Sequence, residues 1–269
     1  MKTTFLKKYF LLISLVVIPL LTVFLVGKIP AQNESPFEKK IFIPKTGDTL
    51  LYRLLRPVKS DSSIKYPLVI FLHGAGEREK DNTSQLKRGV MNFATDVNRK
   101  MYPCYIVAPQ CPPDYRWVEV DWKLPSHIMP KQPSVYLART MILVDSLVKN
   151  LNIDKNRIYI TGLSMGGFGV WDAISRWPDK FAAAVPVCGG GDTAKATMIK
   201  NIPIWAFHGD KDNLVMTSRS RNMIAAIKKA GGNPKYTEYP ATGHNAWDKA
   251  YSEKDMYLWL FTQTNANRE

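Results

Sequence analysis

Residues Arg157 to Trp171 read RIYITGLSMGGFGVW and contain the pattern that decides the fold. The first five residues are mostly apolar, β-branched or aromatic, which predicts a short buried strand. The apolar residues after Gly167 read as the first turns of a helix. Between them lies Ser164, with one glycine two positions before it and another two positions after it. A sharp strand-to-helix turn leaves little room for a Cβ beside the serine, so these glycines predict a turn that exposes the hydroxyl at the carboxyl edge of a sheet.

Length and composition are consistent with one globular α/β domain or with two small domains. The chain has 269 residues, 45% of them apolar, and a formal net charge of +14. Four lysines and no acids lie in the first thirty-one residues, which leaves about +10 on the rest. Because this excess is scattered and no nucleic-acid-binding motif is present, we predict a mildly cationic surface and no nucleic-acid partner. Attraction to acidic polymers or anionic membranes is the alternative.

The cysteines are three in number and widely spaced: Cys104, Cys111 and Cys188. An odd number without a CxxC pair is not a disulfide framework, and four histidines give little material for a structural zinc site. We therefore expect small buried thiols, no metal and no organic cofactor. A bridge between Cys104 and Cys111 in an oxidising compartment is the alternative.

The amino terminus has the composition of an export signal. Three lysines precede an apolar run and one follows it: Lys2, Lys7 and Lys8, then Tyr9 to Val26, then Lys28. Residues 1–31 are predicted to be either a cleaved signal peptide or a retained membrane anchor, followed by a linker (32–38) and the catalytic domain (39–264). Either way the body is expected to be exported: periplasmic, extracellular or anchored to the outer face of the cytoplasmic membrane.

The body alternates apolar strands with helical segments, which predicts a mainly parallel sheet with helices on both faces. An antiparallel hairpin, Lys39 to Ile43 with Thr49 to Leu55, opens the sheet. Residues Gln85 to Lys100 are predicted as one helix. The stretch from Pro109 to Pro133 is rich in proline and tryptophan and lacks periodicity, so we expect a long functional loop. No repeat or second domain is visible.

A serine nucleophile needs a histidine base, and the base needs an orienting acid. In a sheet with this turn, the expected chain order is serine, acid, histidine. Only His208 and His244 follow Ser164. No acid stands at the end of a strand between Ser164 and His208, whereas His244 lies in a Gly-His-Asn turn after the last strand. We therefore predict that His244 is the base.

The acid is expected after the strand that precedes the histidine loop, and both Asp210 and Asp212 lie there. Spacing alone barely separates them. Asp210 directly follows the strand and could brace the turn, whereas Asp212 lies further out and could reach the histidine. Asp212 is favoured, and Glu238, which lies inside a strand, is a weaker third choice.

The reaction makes an oxyanion, which preorganised backbone amides must stabilise. One predicted donor is the N–H of Met165, directly after the serine. The other is expected in the loop after the strand Pro67 to Leu72, where Ala75 is favoured and Gly76 comes next. His73 in the same loop is predicted to be a structural imidazole bonded to nearby backbone.

These segments together resemble a known family, the serine esterases of the α/β-hydrolase fold of the extracellular bacterial type, near the prolyl-oligopeptidase, dienelactone-hydrolase and feruloyl-esterase-like groups. The segments that carry the resemblance are Phe71 to Arg78, Ala108 to Pro112, Gly162 to Gly169, Cys188 to Asp192, Phe207 to Asp212 and Gly243 to Trp247. The resemblance implies Ser164 as nucleophile, Asp212 as acid, His244 as base and an oxyanion loop at Ala75. Small departures from the family pattern are found at Glu79-Lys80 and Asn213.

The substrate is expected to be a small-molecule or carbohydrate-linked ester. Only fourteen residues separate Cys188 from Pro203, which leaves no room for a large helical lid and predicts an open site. The tryptophans Trp117, Trp122 and Trp247 suit sugar rings or phenolic acyl groups; alternatively they only pack the loops. Gly76, Trp117 and Trp247 are the predicted substrate contacts, for acetyl or feruloyl esters. Two other functions stay open: a serine peptidase or amidase, and a non-catalytic binding protein of the same fold.

Overall fold

The apolar runs of the sequence form the strands of one sheet. The computed structural model describes residues 35–44, 47, 49–59 and 61–266, so the predicted signal or anchor (1–31) lies outside the described residues. The strands are β1 (Glu38–Phe42), β2 (Leu50–Leu55), β3 (Tyr66–Leu72), β4 (Tyr105–Pro109), β5 (Ile153–Leu163), β6 (Ala183–Val187), β7 (Trp205–Gly209) and β8 (Lys235–Tyr239).

The strand order is β1-β2-β4-β3-β5-β6-β7-β8. Strand β2 is antiparallel to β1 and β4, and every pair from β4 to β8 in this order is parallel. The predicted α/β-hydrolase architecture, a mainly parallel sheet with an antiparallel amino-terminal hairpin, is confirmed. The parallel strands bring their carboxyl ends to one edge, where the loops that follow β3, β5, β7 and β8 meet.

Helices cover both faces of the sheet. They are α1 (Val90–Phe93), α2 (Asp96–Met101), α3 (Val135–Asn150), α4 (Met165–Arg176), α5 (Ala196–Ile199), α6 (Ser218–Lys229), α7 (Trp247–Ala250) and α8 (Lys254–Thr262). On strand β3, Leu68 and Ile70 point into the core layer formed with α3, α4 and α6. Val69 and Phe71 point into the opposite layer, formed with α1, α7 and α8. This alternation buries the strand on both sides and explains its continuous apolar sequence.

The prediction of one helix from Gln85 to Lys100 is wrong. The segment instead forms a single 3-10 turn and the two short helices α1 and α2. Gly89 has φ = 74°, a conformation that ends regular helix, and a Cβ there would lie 2.5 Å from the Tyr251 ring. Thr95 then starts α2 afresh, because its hydroxyl accepts a hydrogen bond from the Asn98 amide.

The long loop is present, and two buried or half-buried arginines hold it. Residues 110–134 contain no helix or strand. Arg176 on α4 pairs with Asp172 and donates to the carbonyl oxygens of Pro130, Lys131 and Gln132. Arg219 on α6, only 2% exposed, donates to the Leu124 carbonyl. The loop is therefore a fixed wall of the carboxyl edge.

Two further expectations concern the body. Cys104, Cys111 and Cys188 are free and buried, as predicted. Within the described residues, none of the helices combines the length and apolar character needed to cross a bilayer.

Candidate active site

The turn between β5 and α4 holds Ser164 in a strained conformation, with φ = 53° and ψ = −118°. Its amide donates to the Val187 carbonyl over 2.9 Å, which ties the turn to β6. The flanking glycines are sterically required. A Cβ on Gly162 would lie 2.6 Å from the Leu72 carbonyl oxygen, and a Cβ on Gly166 would lie 1.9 Å from the same atom. The turn can therefore sit against β3 only without those side chains.

The three predicted catalytic side chains lie in one hydrogen-bonded line. His244 Nε2 lies 2.8 Å from Ser164 Oγ, and His244 Nδ1 lies 2.7 Å from Asp212 Oδ2. Because a carboxylate only accepts, Nδ1 carries the proton and Nε2 is free to accept one from the serine. The structure thus brings together residues from the loops after β5, β7 and β8.

Each oxygen of the Asp212 carboxylate accepts two hydrogen bonds. Its Oδ1 accepts from the amides of Leu214 and Val215, each at 2.9 Å, and its Oδ2 accepts from both His244 and His208. Burial alone would raise the pKa of this carboxyl, but the hydrogen bonds from His208, His244 and Val215 outweigh burial and hold the pKa well below its usual range. The carboxylate stays ionised and can orient the imidazole.

The sequence reasoning missed the role of His208. It is fully buried, its Nδ1 lies 2.8 Å from the Ser220 hydroxyl, and its Nε2 lies 3.1 Å from Asp212 Oδ2. His208 closes β7 four residues before Asp212. That four-residue spacing is the only signal in the sequence that connects His208 with the acid.

The other acidic candidates lie elsewhere. Asp210 Oδ1 accepts from the Thr242 amide at 3.1 Å and so braces the turn before His244, as the sequence suggested. Glu238 on β8 pairs with Arg221 and accepts from the Tyr236 hydroxyl. Neither carboxylate bonds to the His244 ring.

His73 is a structural imidazole. It is 1% exposed, its Nδ1 donates to the Gly74 carbonyl, and its Nε2 accepts from the Cys111 amide. Burial lowers the pKa of His73 to about 4, so the ring stays neutral at pH 7. It joins the loop after β3 to the loop after β4.

The two predicted oxyanion donors belong to segments beside the serine. Met165 begins α4, so its N–H is one of those that a helix start leaves without an intrahelical acceptor. Ala75 begins the short 3-10 turn after β3 and borders the same pocket as Ser164. Arg78 fixes this turn, because its side chain donates to the carbonyls of Ala75 and Pro113.

An open pocket of about 730 Å³ surrounds Ser164. It is lined by Gly74, Ala75, Gly76, Glu77, Lys87, Arg88, Trp122, Lys123, Leu163, Ser164, Leu214, Val215, His244 and Trp247. Of the predicted substrate contacts, Gly76 and Trp247 lie in this wall. A larger groove of about 910 Å³, around Tyr66 and Tyr102, contains none of the three catalytic candidates.

The prediction that Trp117 contacts substrate is wrong. Its side chain is fully buried, and its indole N–H donates to the His73 carbonyl at 2.9 Å. The ring also meets the His73 imidazole edge to face. The residue belongs to the core beneath the site, whereas Trp122 from the same loop reaches the pocket wall.

Among the described residues, one group has ligand atoms close enough for a metal ion: Cys188, Asp212 and His244, within 4.8 Å of one another. Asp212 Oδ2 and His244 Nδ1 are already hydrogen-bonded to each other. Burial raises the pKa of the Cys188 thiol, which disfavours the thiolate that would bind a metal. The geometry suits proton transfer better than metal binding.

Comparison with known proteins places the chain in a family. The model of the dienelactone hydrolase family matches residues 56–257, about three quarters of the chain. The chain belongs to the dienelactone hydrolase family. The matched segment includes Ser164, Asp212 and His244, and the match confirms the family resemblance seen in the sequence.

Solved structures agree with membership of the dienelactone hydrolase family. A thermostable esterase is 40% identical, with a TM-score of 0.80 over 85% of this chain and 63% of its own. Dipeptidyl peptidase 4 of Porphyromonas gingivalis has a TM-score of 0.63 over 84% of this chain and 35% of its own, at 15% identity, which shows the fold alone.

Curated relatives of this dienelactone hydrolase family member are more distant. An uncharacterized secreted protein of Arthroderma benhamiae is 27% identical over 90% of this chain. A bifunctional acetylxylan esterase/xylanase of Neocallimastix patriciarum is 33% identical over 27% of it. The chain spans only 27% of the first protein's length and 11% of the second's.

Proposed function

We propose that this chain is a serine carboxylic ester hydrolase in which Ser164, His244 and Asp212 form the catalytic triad. The observation that carries the proposal is the unbroken line of hydrogen bonds, 2.8 Å from serine to imidazole and 2.7 Å from imidazole to carboxylate. Membership of the dienelactone hydrolase family and the esterase among the similar structures support a carboxylesterase-type hydrolase.

The geometry supports a two-step mechanism. His244 Nε2 takes the Ser164 proton as Oγ attacks the ester carbonyl, and the N–H groups of Met165 and Ala75 stabilise the oxyanion. As the tetrahedral intermediate collapses, the protonated imidazole gives its proton to the leaving alcohol, and the acyl group stays on Oγ. Water then attacks the acyl-enzyme with His244 again as base, which releases the acid and restores the serine.

The substrate class that we propose is an ester linked to a carbohydrate, with acetyl or feruloyl as the acyl group. The pocket is open, and the indoles of Trp122 and Trp247 border it beside Ser164. Flat apolar rings of this kind suit sugar faces. The similarity to the acetylxylan esterase/xylanase of Neocallimastix patriciarum supports the acetyl option.

A fluorophosphonate probe tests the nucleophile directly. We expect it to label Ser164, and Ser164→Ala to lose both the label and at least about 10³-fold of turnover on 4-nitrophenyl acetate. Ser252→Ala is the matched control, because Ser252 is exposed and its hydroxyl donates only to the Asp248 carbonyl. Full activity in Ser164→Ala would remove the assignment, and faster cleavage of a peptide amide than of the ester would favour a peptidase.

We also propose that the catalytic domain, residues 39–264, is exported. The lysines and apolar run in residues 1–31 support export, as does the secreted relative from Arthroderma benhamiae. Amino-terminal sequencing of protein recovered outside the cytoplasmic membrane distinguishes a cleaved leader from a retained one. Recovery in the cytoplasm alone would contradict the proposal.

A further inference from the structure

The wall of the pocket around Ser164 carries an excess of positive charge. Three of its side chains are cationic, Lys87, Arg88 and Lys123, and only one, Glu77, is a carboxylate. The cations come from two separate segments: Lys87 and Arg88 from the stretch before α1, and Lys123 from the loop of residues 110–134. The positive charge in the wall therefore comes from two segments that are well separated in the sequence.

The single carboxylate is already neutralised. Glu77 is 3% exposed, and its Oε1 lies 3.0 Å from Arg88 Nε. The Arg88 guanidinium also lies 5.5 Å from the centre of the Trp247 ring, which fixes it against the pocket wall. Arg88 therefore balances a buried charge, and the net positive charge of the opening belongs to the two lysines.

Lys87 and Lys123 are exposed, and within the part of the chain that the structure describes neither forms an ion pair. Arg78 adds to the same field. Its guanidinium bonds to carbonyl oxygens only and lies 5.9 Å from the centre of the Trp122 ring. The Asp121 carboxylate accepts from the main-chain amide of Lys123 at 2.9 Å and forms no ion pair with its ammonium group. A bound carboxylate would therefore find both ammonium groups without an ion-pair partner among the described residues.

We propose that Lys87 and Lys123 are specificity-determining residues that select esters carried on acidic sugars, that is, sugars with a carboxylate. This inference rests on the proposed ester hydrolase function and adds the charge of its substrate. The half-buried indole of Trp122 binds the apolar face of the sugar ring, and the lysines attract its carboxylate. An open pocket accommodates such a sugar within a longer polymer.

Two substrates that differ only in the carboxylate test the proposal. One is a monoacetylated methyl glucuronoside with its carboxylate free, and the other is methyl glucoside acetylated on the same oxygen. We expect kcat/KM to be about tenfold higher for the acidic ester at low salt, and the ratio to shrink as salt is added. The double variant Lys87→Gln/Lys123→Gln should bring the ratio close to one.

The matched control removes the same two charges elsewhere. Lys149 at the end of α3 and Lys229 at the end of α6 are exposed and lie outside the pocket wall. Lys149→Gln/Lys229→Gln should keep the tenfold ratio. Equal kcat/KM for the two esters in the wild type, or a ratio that survives Lys87→Gln/Lys123→Gln, overturns the inference.

Binding supplies a readout that needs no turnover. The Ser164→Ala variant should bind an oligoglucuronate more tightly than an uncharged glucan oligomer of equal length, and Lys87→Gln/Lys123→Gln in that background should abolish the difference. Failure of the proposed function has a different signature, since then neither monoacetate nor 4-nitrophenyl acetate is hydrolysed. That result would overturn both the proposed ester hydrolase function and the selection of acidic substrates. Equal hydrolysis of the two monoacetates overturns only the selection of acidic substrates.

Discussion

His208 Nε2 lies 3.1 Å from Asp212 Oδ2, so one carboxylate oxygen accepts hydrogen bonds from two imidazoles. His208 is itself held by the Ser220 hydroxyl and by the Val215 carbonyl at 3.0 Å. The acid of the proposed triad therefore rests on a buried second histidine. That arrangement limits how far the carboxylate can rotate away from His244.

Replacing His208 tests this support. We expect His208→Gln to lower kcat about tenfold with little change in KM, because Asp212 loses one donor but keeps three. Asp212→Asn should be far more severe, roughly 10⁴-fold, since it removes the charge that stabilises the imidazolium. Steady-state kinetics on 4-nitrophenyl acetate measures both. Unchanged kcat in a folded His208→Gln protein would show that the second imidazole has no positioning role.

The glycine that approaches β3 most closely should not tolerate a side chain. We expect Gly166→Ala to misplace the turn and abolish activity or folding, because the new Cβ would meet the Leu72 carbonyl at 1.9 Å. Gly76→Ala is the control for folding only, since Gly76 borders the pocket but nothing lies within 4 Å of a Cβ there. Thermal unfolding compares the two variants, and fluorophosphonate labelling reports on the turn in Gly166→Ala. Equal thermal stability of both variants, with full labelling of Gly166→Ala, would contradict the steric argument.

Acid should destabilise the fold through His73. Its folded pKa of about 4 lies below the ordinary value of 6.5, so between these pH values the unfolded chain binds a proton that the folded chain does not. The free energy of unfolding therefore falls as the pH drops from about 6.5 towards 4, by about 3 kcal/mol in total from this ring.

The variant His73→Gln isolates that contribution. Its free energy of unfolding should be lower than that of the wild type at pH 7. The difference between the two free energies should be smaller at pH 4.5, because the variant has no ring to protonate. Urea unfolding at both pH values gives the comparison. If the difference in free energy of unfolding does not change with pH, His73 is not the source of the acid destabilisation.

The two tryptophans of the long loop should behave oppositely. Trp122→Ala is expected to raise KM about fivefold to tenfold with little loss of stability, because Trp122 borders the pocket. Trp117→Phe should lower stability by about 1–3 kcal/mol, because it leaves the buried His73 carbonyl without its donor, and should leave KM unchanged. Steady-state kinetics and urea unfolding of both variants test these roles. A larger increase in KM from Trp117→Phe than from Trp122→Ala would contradict the assignment of Trp122 to the pocket and Trp117 to the core.

Much of this fold could be predicted from local sequence because the parallel strands are buried on both faces. Val69 and Ile70 lie in opposite core layers, and their stretch is continuously apolar, a pattern that a single sequence displays. The catalytic candidates could be proposed for the same reason. Each follows a recognisable strand, and parallel strands bring their carboxyl ends to one edge.

Features that depend on distant partners could not be predicted. Gly89 interrupts a helical pattern because the Tyr251 ring, far along the chain, occupies the space beside it. Trp117 and Trp122 lie five residues apart in a segment without periodicity, so nothing in the sequence tells which one points inward. The presence of Lys87 and Lys123 in the wall of one pocket likewise depends on two loops that meet only in the folded chain.

The tethers of the long loop have an evolutionary consequence. Arg176 and Arg219 donate hydrogen bonds to main-chain carbonyl oxygens, among them those of Pro130 and Leu124. Every amino acid provides such a carbonyl. Point changes along this segment therefore leave those hydrogen bonds available. Natural drift or laboratory selection can revise which molecules this chain accepts by altering loop side chains, while the scaffold that aligns the nucleophile is inherited unchanged.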